Sequence, residues 1–331
     1  MSVYMMKEKY PFKVSVCVVT YNHAAYIAEC LDSILAQKRN FGLEILIHDD
    51  ASTDGAQAVI REYHSRYPDI IRPILRTENQ YSQGKVNITG LFNIPRASGK
   101  YVAVLDGDDY WCDPRKLQQQ VDYMEEHPDY VFTFHAARVV DEKGQRLQGT
   151  NMRPYHGDRE LSGAELVDRT GGIPFASFLL RRDILQPLPD YYFQCPVGDR
   201  PLELIAAAHG RAFYFDREMS VYRFSHAGSW TSTQLSGDYR EKQERYAGEM
   251  AETYRLFDQE TGGRFHEEAQ AAADRIRFLT AVNVRDFREI YRKENRCFFR
   301  ELSRRDRFFI GFEHVLPGAY RLLQSRFGAG H

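Results

Sequence analysis

Four short apolar runs, two of which end abruptly in acid, constrain this chain more than any other feature. Val14–Thr20 (VSVCVVT) and Leu43–His48 (LEILIH) are short runs dominated by Val, Leu and Ile, the pattern of strands buried on both faces. Ile70–Leu75 is a weaker run and Tyr101–Leu105 (YVAVL) a strong one. Between them, Tyr26, Ile27, Cys30, Leu31, Ile34 and Leu35 recur at helical spacing, as do Val59, Ile60, Tyr63 and Tyr67, and later Leu117, Val121 and Met124. Strands alternating with helices predict a parallel sheet with right-handed crossovers. Ligands of such sheets sit at the carboxyl ends of the strands. Both acidic clusters, Asp49-Asp50 and Asp106-Gly107-Asp108-Asp109, fall there.

The second half is less regular. Tyr130–Val140, Phe175–Leu180, Arg211–Phe215 and Ser220–Phe224 read as strands, and from about Asp238 to Arg307 the pattern is helical and charge-rich. With 331 residues, 43% hydrophobic and 27% charged, the chain has ample material for one large or two smaller domains. Five scattered cysteines with no C-x-x-C pair read as free thiols, neither a disulfide frame nor a zinc site. No secretory h-region and no run of about 18 apolar residues is evident, so a cytoplasmic location is expected. The net charge of -2 hides an asymmetry: residues 284–331 hold 11 Lys+Arg against 6 Asp+Glu, and residues 1–283 hold 33 against 40. An acidic body argues against a nucleic-acid partner; only the basic tail suits an anionic surface.

Three carboxylates within the four residues 106–109 repel one another, and such a cluster persists most easily when a cation neutralises it. Hard oxygen ligands on a loop suit Mg²⁺ or Mn²⁺, which take one or two carboxylates together with substrate phosphates. Gly107 allows a tight backbone turn. An EF-hand is excluded, because Leu117 stands where its twelfth-position Glu would be. Asp50 at a strand end suits hydrogen bonding to a ribose or base edge, while Ser52, Thr53 and Asp54 suit helix capping. Tyr21, in Thr20-Tyr21-Asn22, suits stacking on a base. The glycine-rich fingerprints of dinucleotide and P-loop sites are absent.

VSVCVVTYNHAAYIAECLDSILAQ, LEILIHDDASTDG and GKYVAVLDGDDYWCDPRKLQQQVDYM, in that order, resemble the family 2 glycosyltransferases of the GT-A fold over roughly residues 12–230. The resemblance implies an α/β, Rossmann-like mixed and mainly parallel sheet flanked by helices. It implies a catalytic domain over 1–235, with a nucleotide-sugar half at about 12–128 and an acceptor half at about 129–235, and a helical, basic extension over 236–331. Thr20, Tyr21, Asn22, Asp50 and Asp106 would hold the nucleotide, with Asp50 facing the base. Asp108 or Asp109 would hold the Mn²⁺ or Mg²⁺ bridging the diphosphate, and Asp199 would be the general base; an N-cap to the following apolar helix is its alternative role. Tyr222-Arg223-Phe224-Ser225-His226 resembles the family's phosphate-closing segment, except that His226 stands three residues after Arg223 instead of two. That leaves His226 a further candidate beside the diphosphate or metal. Lys85 reads as solvent-facing, with the diphosphate as its other candidate partner. Trp111, next to Tyr110, suits stacking on the acceptor.

The implied activity is inverting transfer of a sugar from a nucleoside diphosphate sugar, with UDP the expected nucleotide. The acceptor would be a saccharide or lipid-linked chain of a cell-surface polysaccharide. Two other classes compete: a Mg²⁺-dependent phosphohydrolase, whose D-x-D-x-[TV] motif would need Thr or Val where Tyr110 stands, and a nucleotide-sugar-binding module without a base. Glu301–Phe327 mixes arginines with aromatic and aliphatic residues, a composition suited either to an anionic membrane surface or to packing on the catalytic domain.

Overall fold

Val14, Val16 and Val18 point to one side of the central strand and Cys17 to the other, and both sides are closed from solvent. That is why β1 (Phe12–Thr20) reads as a continuous apolar run. The computed structural model describes residues 10–169, 171–224 and 238–320. β1 pairs in parallel with β2 (Leu43–Asp49) and with β4 (Gly99–Asp106), and β2 with β3 (Ile71–Leu75). Helices α1 (Ile27–Leu35), α2 (Ala56–Arg66) and α3 (Lys116–Glu126) supply the crossovers of this half.

The remaining strands are β5 (Tyr110–Trp111), β6 (Tyr130–Val140), β7 (Arg146–Met152), β8 (Arg159–Leu161), β9 (Leu179–Arg181) and β10 (Arg211–Arg223). Among the described residues they complete one sheet in the order β3-β2-β1-β4-β9-β6-β10-β5, with β7 on β6 and β8 on β10. β9 runs antiparallel between β4 and β6, whereas β6 and β10 are parallel. The sheet is thus mixed and mainly parallel.

Two expectations need correcting. Phe175–Leu180 is not one strand: Phe175–Ser177 is a 3₁₀ turn in which the Ser177 N–H and hydroxyl both donate to Pro174 O, and only then does β9 begin. The expected strands Arg211–Phe215 and Ser220–Phe224 are instead one strand, β10. The polar triplet Asp216-Arg217-Glu218 is accommodated by register shifts against β6, while Arg153, Tyr214 and the Gly157 N–H satisfy Asp216.

Behind the second half lie α4 (Gly163–Asp168), α5 (Asp190–Gln194), α6 (Arg200–His209), α7 (Tyr239–Glu260) and α8 (His266–Asn283). Met250, Tyr254 and Phe257 of α7 and Ala272 and Ile276 of α8 share one hydrophobic cluster with Phe132, Phe178, Leu202 and Tyr214. The chain from 238 to 283 therefore packs into the same core as β6 and β10. A separate small cluster of Phe278, Ala281, Ile290 and Ile310 gathers the segment beyond it.

Candidate active site

Strand register alone brings the candidate residues together. Thr20 lies opposite Asp49, and Val19 opposite Asp106, so β1, β2 and β4 end at one level. Between β1 and β4 the strand order reverses, the position at which open α/β sheets bind ligands. The Asp50 N–H donates to Thr20 O at 2.9 Å and the Gly107 N–H to Val19 O at 2.8 Å, which fixes both loops to the tip of β1.

Of the residues expected to hold a nucleotide, Tyr21 is 44% exposed and offers a ring face. Thr20 is buried, and its hydroxyl has no protein partner among the described residues. Asn22 sits at φ 57; its N–H donates to Ser52 Oγ and its side-chain oxygen accepts the Thr53 N–H, both at 2.8 Å. Asp54 accepts the Ala24 N–H at 2.7 Å. Asn22 therefore stitches the β1 and β2 loops together, and its amide oxygen is already engaged. Asp50 is buried and receives the N–H groups of Gln80 at 2.8 Å and Tyr81 at 3.0 Å on its two oxygens, with His48 Nε2 at 3.3 Å. Its carboxylate anchors the start of the segment 80–85, where exposed Lys85 donates to Gln80 Oε1 at 2.6 Å. Asp49 serves its own loop, accepting the Ser52 N–H and Gln57 Nε2.

The acidic loop is electrostatically loaded. Burial, then Asp108 and Asp199, push the Asp106 carboxyl up to about 8. Burial, then Asp108 and Asp106, raise Asp109 as well, although Asp109 accepts the Arg223 N–H at 2.9 Å. Asp109 is 2% exposed, so it locks the end of β10 beneath the loop and is poorly placed as a metal ligand. The side chain of Asp108 is 12% exposed, with His23 Nδ1 at 3.8 Å. Arg223 binds the Asp108 carbonyl and Glu29, and its guanidinium lies 4.6 Å from the Tyr26 ring centre and 5.1 Å from that of Tyr110. Gly107 is required for close approach more than for its turn: a Cβ there would lie 2.6 Å from Thr20 Oγ1.

A divalent cation fits this loop, because three carboxylates cluster on it, the buried guanidinium of Arg223 beside them is spent on the Asp108 carbonyl and Glu29, and Asp106 holds its proton far above the usual carboxylate range. Among the described residues no group of three or more His, Cys, Asp or Glu side chains is arranged to hold a metal. Such a cation would therefore rest on Asp108, with Asp106 beside it, and would need phosphate oxygens to complete its coordination. His226 lies outside the described residues.

Across the site stands Asp199, half-buried at the start of α6. Its Oδ1 accepts the Arg200 N–H at 2.7 Å. Burial raises its carboxyl, while that N–H and the Arg200 charge pull it back. The charge of Asp199 contributes to the rise of Asp106, so Asp199 lies within electrostatic reach of the acidic loop. Asn87 secures the loop before Asp199: its Nδ2 donates to the Tyr192 carbonyl and to Cys195 O, the latter at 3.0 Å, and its buried Oδ1 has no described partner. Nothing in the pattern around Asn87 signals this, because its partners are backbone carbonyls more than 100 residues away.

Trp111 requires a correction. It is 4% exposed, its indole N–H donates to Ala176 O at 2.8 Å, and Lys116 Nζ lies 3.9 Å from its ring centre. The ring belongs to the core and offers no face to an acceptor.

Comparison with known proteins agrees with this geometry. Residues 15–188 match the family model described as glycosyl transferase family 2. The chain is 34% identical over 224 residues to an uncharacterised protein of Mycobacterium bovis, covering 66% of this chain but 60% of that protein. It is 32% identical over 180 residues to an uncharacterised glycosyltransferase of Nostoc, covering 53% and 52%. Its fold is similar to that of TarS from S. aureus in complex with UDP, at 18% identity and TM-score 0.53 over 92% of this chain and 82% of that one. It is also similar to the mannosyltransferase PcManGT from Pyrobaculum calidifontis in complex with GDP-Man and Mn²⁺, at 19% identity and TM-score 0.54 over 96% and 84%. These neighbours share the GT-A-type sheet and its flanking helices. With more than half of its length matched by the family model, the chain belongs to glycosyl transferase family 2.

Proposed function

We propose that this protein transfers a sugar, with inversion, from a nucleoside diphosphate sugar, UDP-linked in the first instance, to a saccharide or lipid-linked acceptor of a cell-surface polysaccharide. The observation that carries the reading is the division of acids: Asp106 and Asp108 at the sheet's switch point, and Asp199 on a different element, at the start of α6, with its charge felt at Asp106.

Tyr21 supplies a ring face for the base, and Asp50 holds the backbone of Gln80 and Tyr81 beside it. Asp108, with Asp106, would hold Mn²⁺ or Mg²⁺, which would stabilise negative charge on the leaving diphosphate. Asp199 takes the proton of the acceptor hydroxyl as that oxygen bonds to the anomeric carbon and the bond from that carbon to the diphosphate oxygen breaks. The proton ends on the Asp199 carboxylate and the electron pair on the diphosphate. Inversion follows if base and leaving group act on opposite faces of the ring.

Peripheral contact with the cytoplasmic face of a membrane through the C-terminal segment is part of the proposal. Helix 304–315 carries Arg304, Arg305 and Arg307, and leaves Phe308 64% and Val315 72% exposed. No helix among the described residues is long and apolar enough to cross a membrane.

Incubation with a panel of UDP- and GDP-sugars and Mn²⁺, with and without EDTA, tests the reading. The expected result is nucleotide release and a glycoside of inverted anomeric configuration by NMR, both stopped by EDTA. A retained anomer, or binding without turnover against every acceptor tried, would overturn it.

A further inference from the structure

The residue after Asp199 is an arginine that the reaction does not call on, yet it is 3% exposed and almost fully bonded. Its Nε donates to Tyr254 Oη of α7 at 2.8 Å. One terminal nitrogen donates to Leu166 O at 2.9 Å and to the Glu203 carboxylate, and the other to Val167 O at 2.6 Å. A planar fork thus ties together the carbonyl end of α4, the first turn of α6 and the middle of α7.

Starting α6 does not require this. Pro201 already favours a first turn. Nor is a buried ion pair an economical way to hold a core, since apolar residues of similar size often serve as well or better. What the fork does fix is the peptide between Asp199 and Arg200, whose N–H holds Asp199 Oδ1 at 2.7 Å. On the other side, Asn87 fixes the loop through the Tyr192 and Cys195 carbonyls. The Asp199 carboxylate is therefore aimed from both flanks, and Asp199 itself, Arg200, Tyr254 and the Tyr192 and Cys195 carbonyls all lie beyond the matched residues 15–188.

We propose that Arg200 is the positioning residue for Asp199, and that its bond to Tyr254 makes α7 a working part of the catalytic apparatus. This rests on the reading of Asp199 as the base. A carboxylate that must take a proton along one line loses rate when its orientation drifts, whereas the donor nucleotide, held by β1, β2 and β4, does not sense the drift.

The test uses the full chain and four variants: Tyr254→Phe, which removes one hydroxyl, Arg200→Lys, Arg200→Met, and Asp199→Asn as a reference. Turnover is read as nucleotide release from the UDP-sugar panel, donor-site integrity as UDP affinity with Mn²⁺, and folding as the thermal midpoint. Tyr254→Phe is expected to lower kcat about tenfold, with UDP affinity and donor KM within about twofold and the midpoint lowered by only a few degrees, since a buried guanidinium loses one acceptor. Arg200→Met should lose more, with Arg200→Lys between it and the native chain. If Asp199→Asn abolishes turnover while Tyr254→Phe leaves kcat untouched, the positioning role is wrong and the base assignment stands. If Tyr254→Phe lowers kcat and UDP affinity together, the contact is merely structural and the proposal fails. If Asp199→Asn retains turnover, the base assignment fails and this inference falls with it. Should the Arg200 variants not fold, Tyr254→Phe alone decides.

Discussion

The donor half and the acceptor half both bury carboxylates, but they hold them by different means. At the ends of β1, β2 and β4, backbone geometry does most of the work: Asp50 receives two N–H groups, Asp49 a third, and register sets Thr20, Asp49 and Asp106 level. Across the site, Asp199 receives one N–H, that of Arg200, and the Arg200 guanidinium is in turn bonded to the Leu166 and Val167 carbonyls of α4 and to Tyr254 of α7. Sheet topology therefore builds the proposed nucleotide site. On the proposed reading of Asp199 as the base, a network anchored on one buried arginine, and not the sheet, would set its direction.

The contrast can be broken in four places. Asp199→Asn should cost about 10²–10⁴-fold in turnover, the usual worth of a positioned general base, when release of nucleotide is followed. Gly107→Ala strikes the donor half: its Cβ would meet Thr20 Oγ1 at 2.6 Å and Thr20 Cβ at 2.7 Å. The loop must then shift, and titration with UDP and Mn²⁺ should show affinity down at least about tenfold, with about 1–3 kcal/mol lost in denaturant unfolding. Asp50→Ala frees the N–H groups of Gln80 and Tyr81; hydrogen exchange at those two amides should speed up while α6 and α7 keep their protection, and UDP affinity should fall severalfold.

The smallest effect concerns Lys116, fully buried against Trp111 with no hydrogen-bond partner for Nζ among the described residues. Burial holds it well below its usual 10.5 in the folded chain. The unfolded chain then binds the extra proton, so this lysine makes stability rise with pH up to its unfolded value. Lys116→Met should match or exceed the native chain in stability at pH 7 and lack that share of the rise when unfolding is repeated at pH 9. A marked loss at pH 7 would mean that the amine has a partner on which the fold depends.

Much of the donor half was readable in the sequence, because a parallel strand buried on both faces has little choice of residue and its carboxyl end is marked by polar ones. The strands ending at Thr20 and Asp49, the helices after them and the acidic loop all follow from period and punctuation. Roles set by distant contacts were not readable. Asn22, expected to touch the nucleotide, also ties two loops; Asp109, expected on the metal, also accepts the Arg223 N–H; Trp111, expected as a stacking platform, is core. Phe175 to Leu180 has strand composition, but Pro174 accepts two bonds from Ser177 and turns the chain. β7 and β8 escaped because their polar sequences show no apolar alternation. Arg200 and Tyr254 are separated by 54 residues, a distance no local pattern spans.

The central claim is a division of labour between acids that hold the donor and an acid that takes the proton. Isothermal titration of UDP with Mn²⁺ into the native chain, Asp108→Asn and Asp199→Asn tests it most directly. The account predicts that Asp199→Asn binds within about twofold of the native chain and that Asp108→Asn binds at least about tenfold more weakly, a loss of about 1.4 kcal/mol or more. Equal losses in both variants, or none in Asp108→Asn, would contradict it.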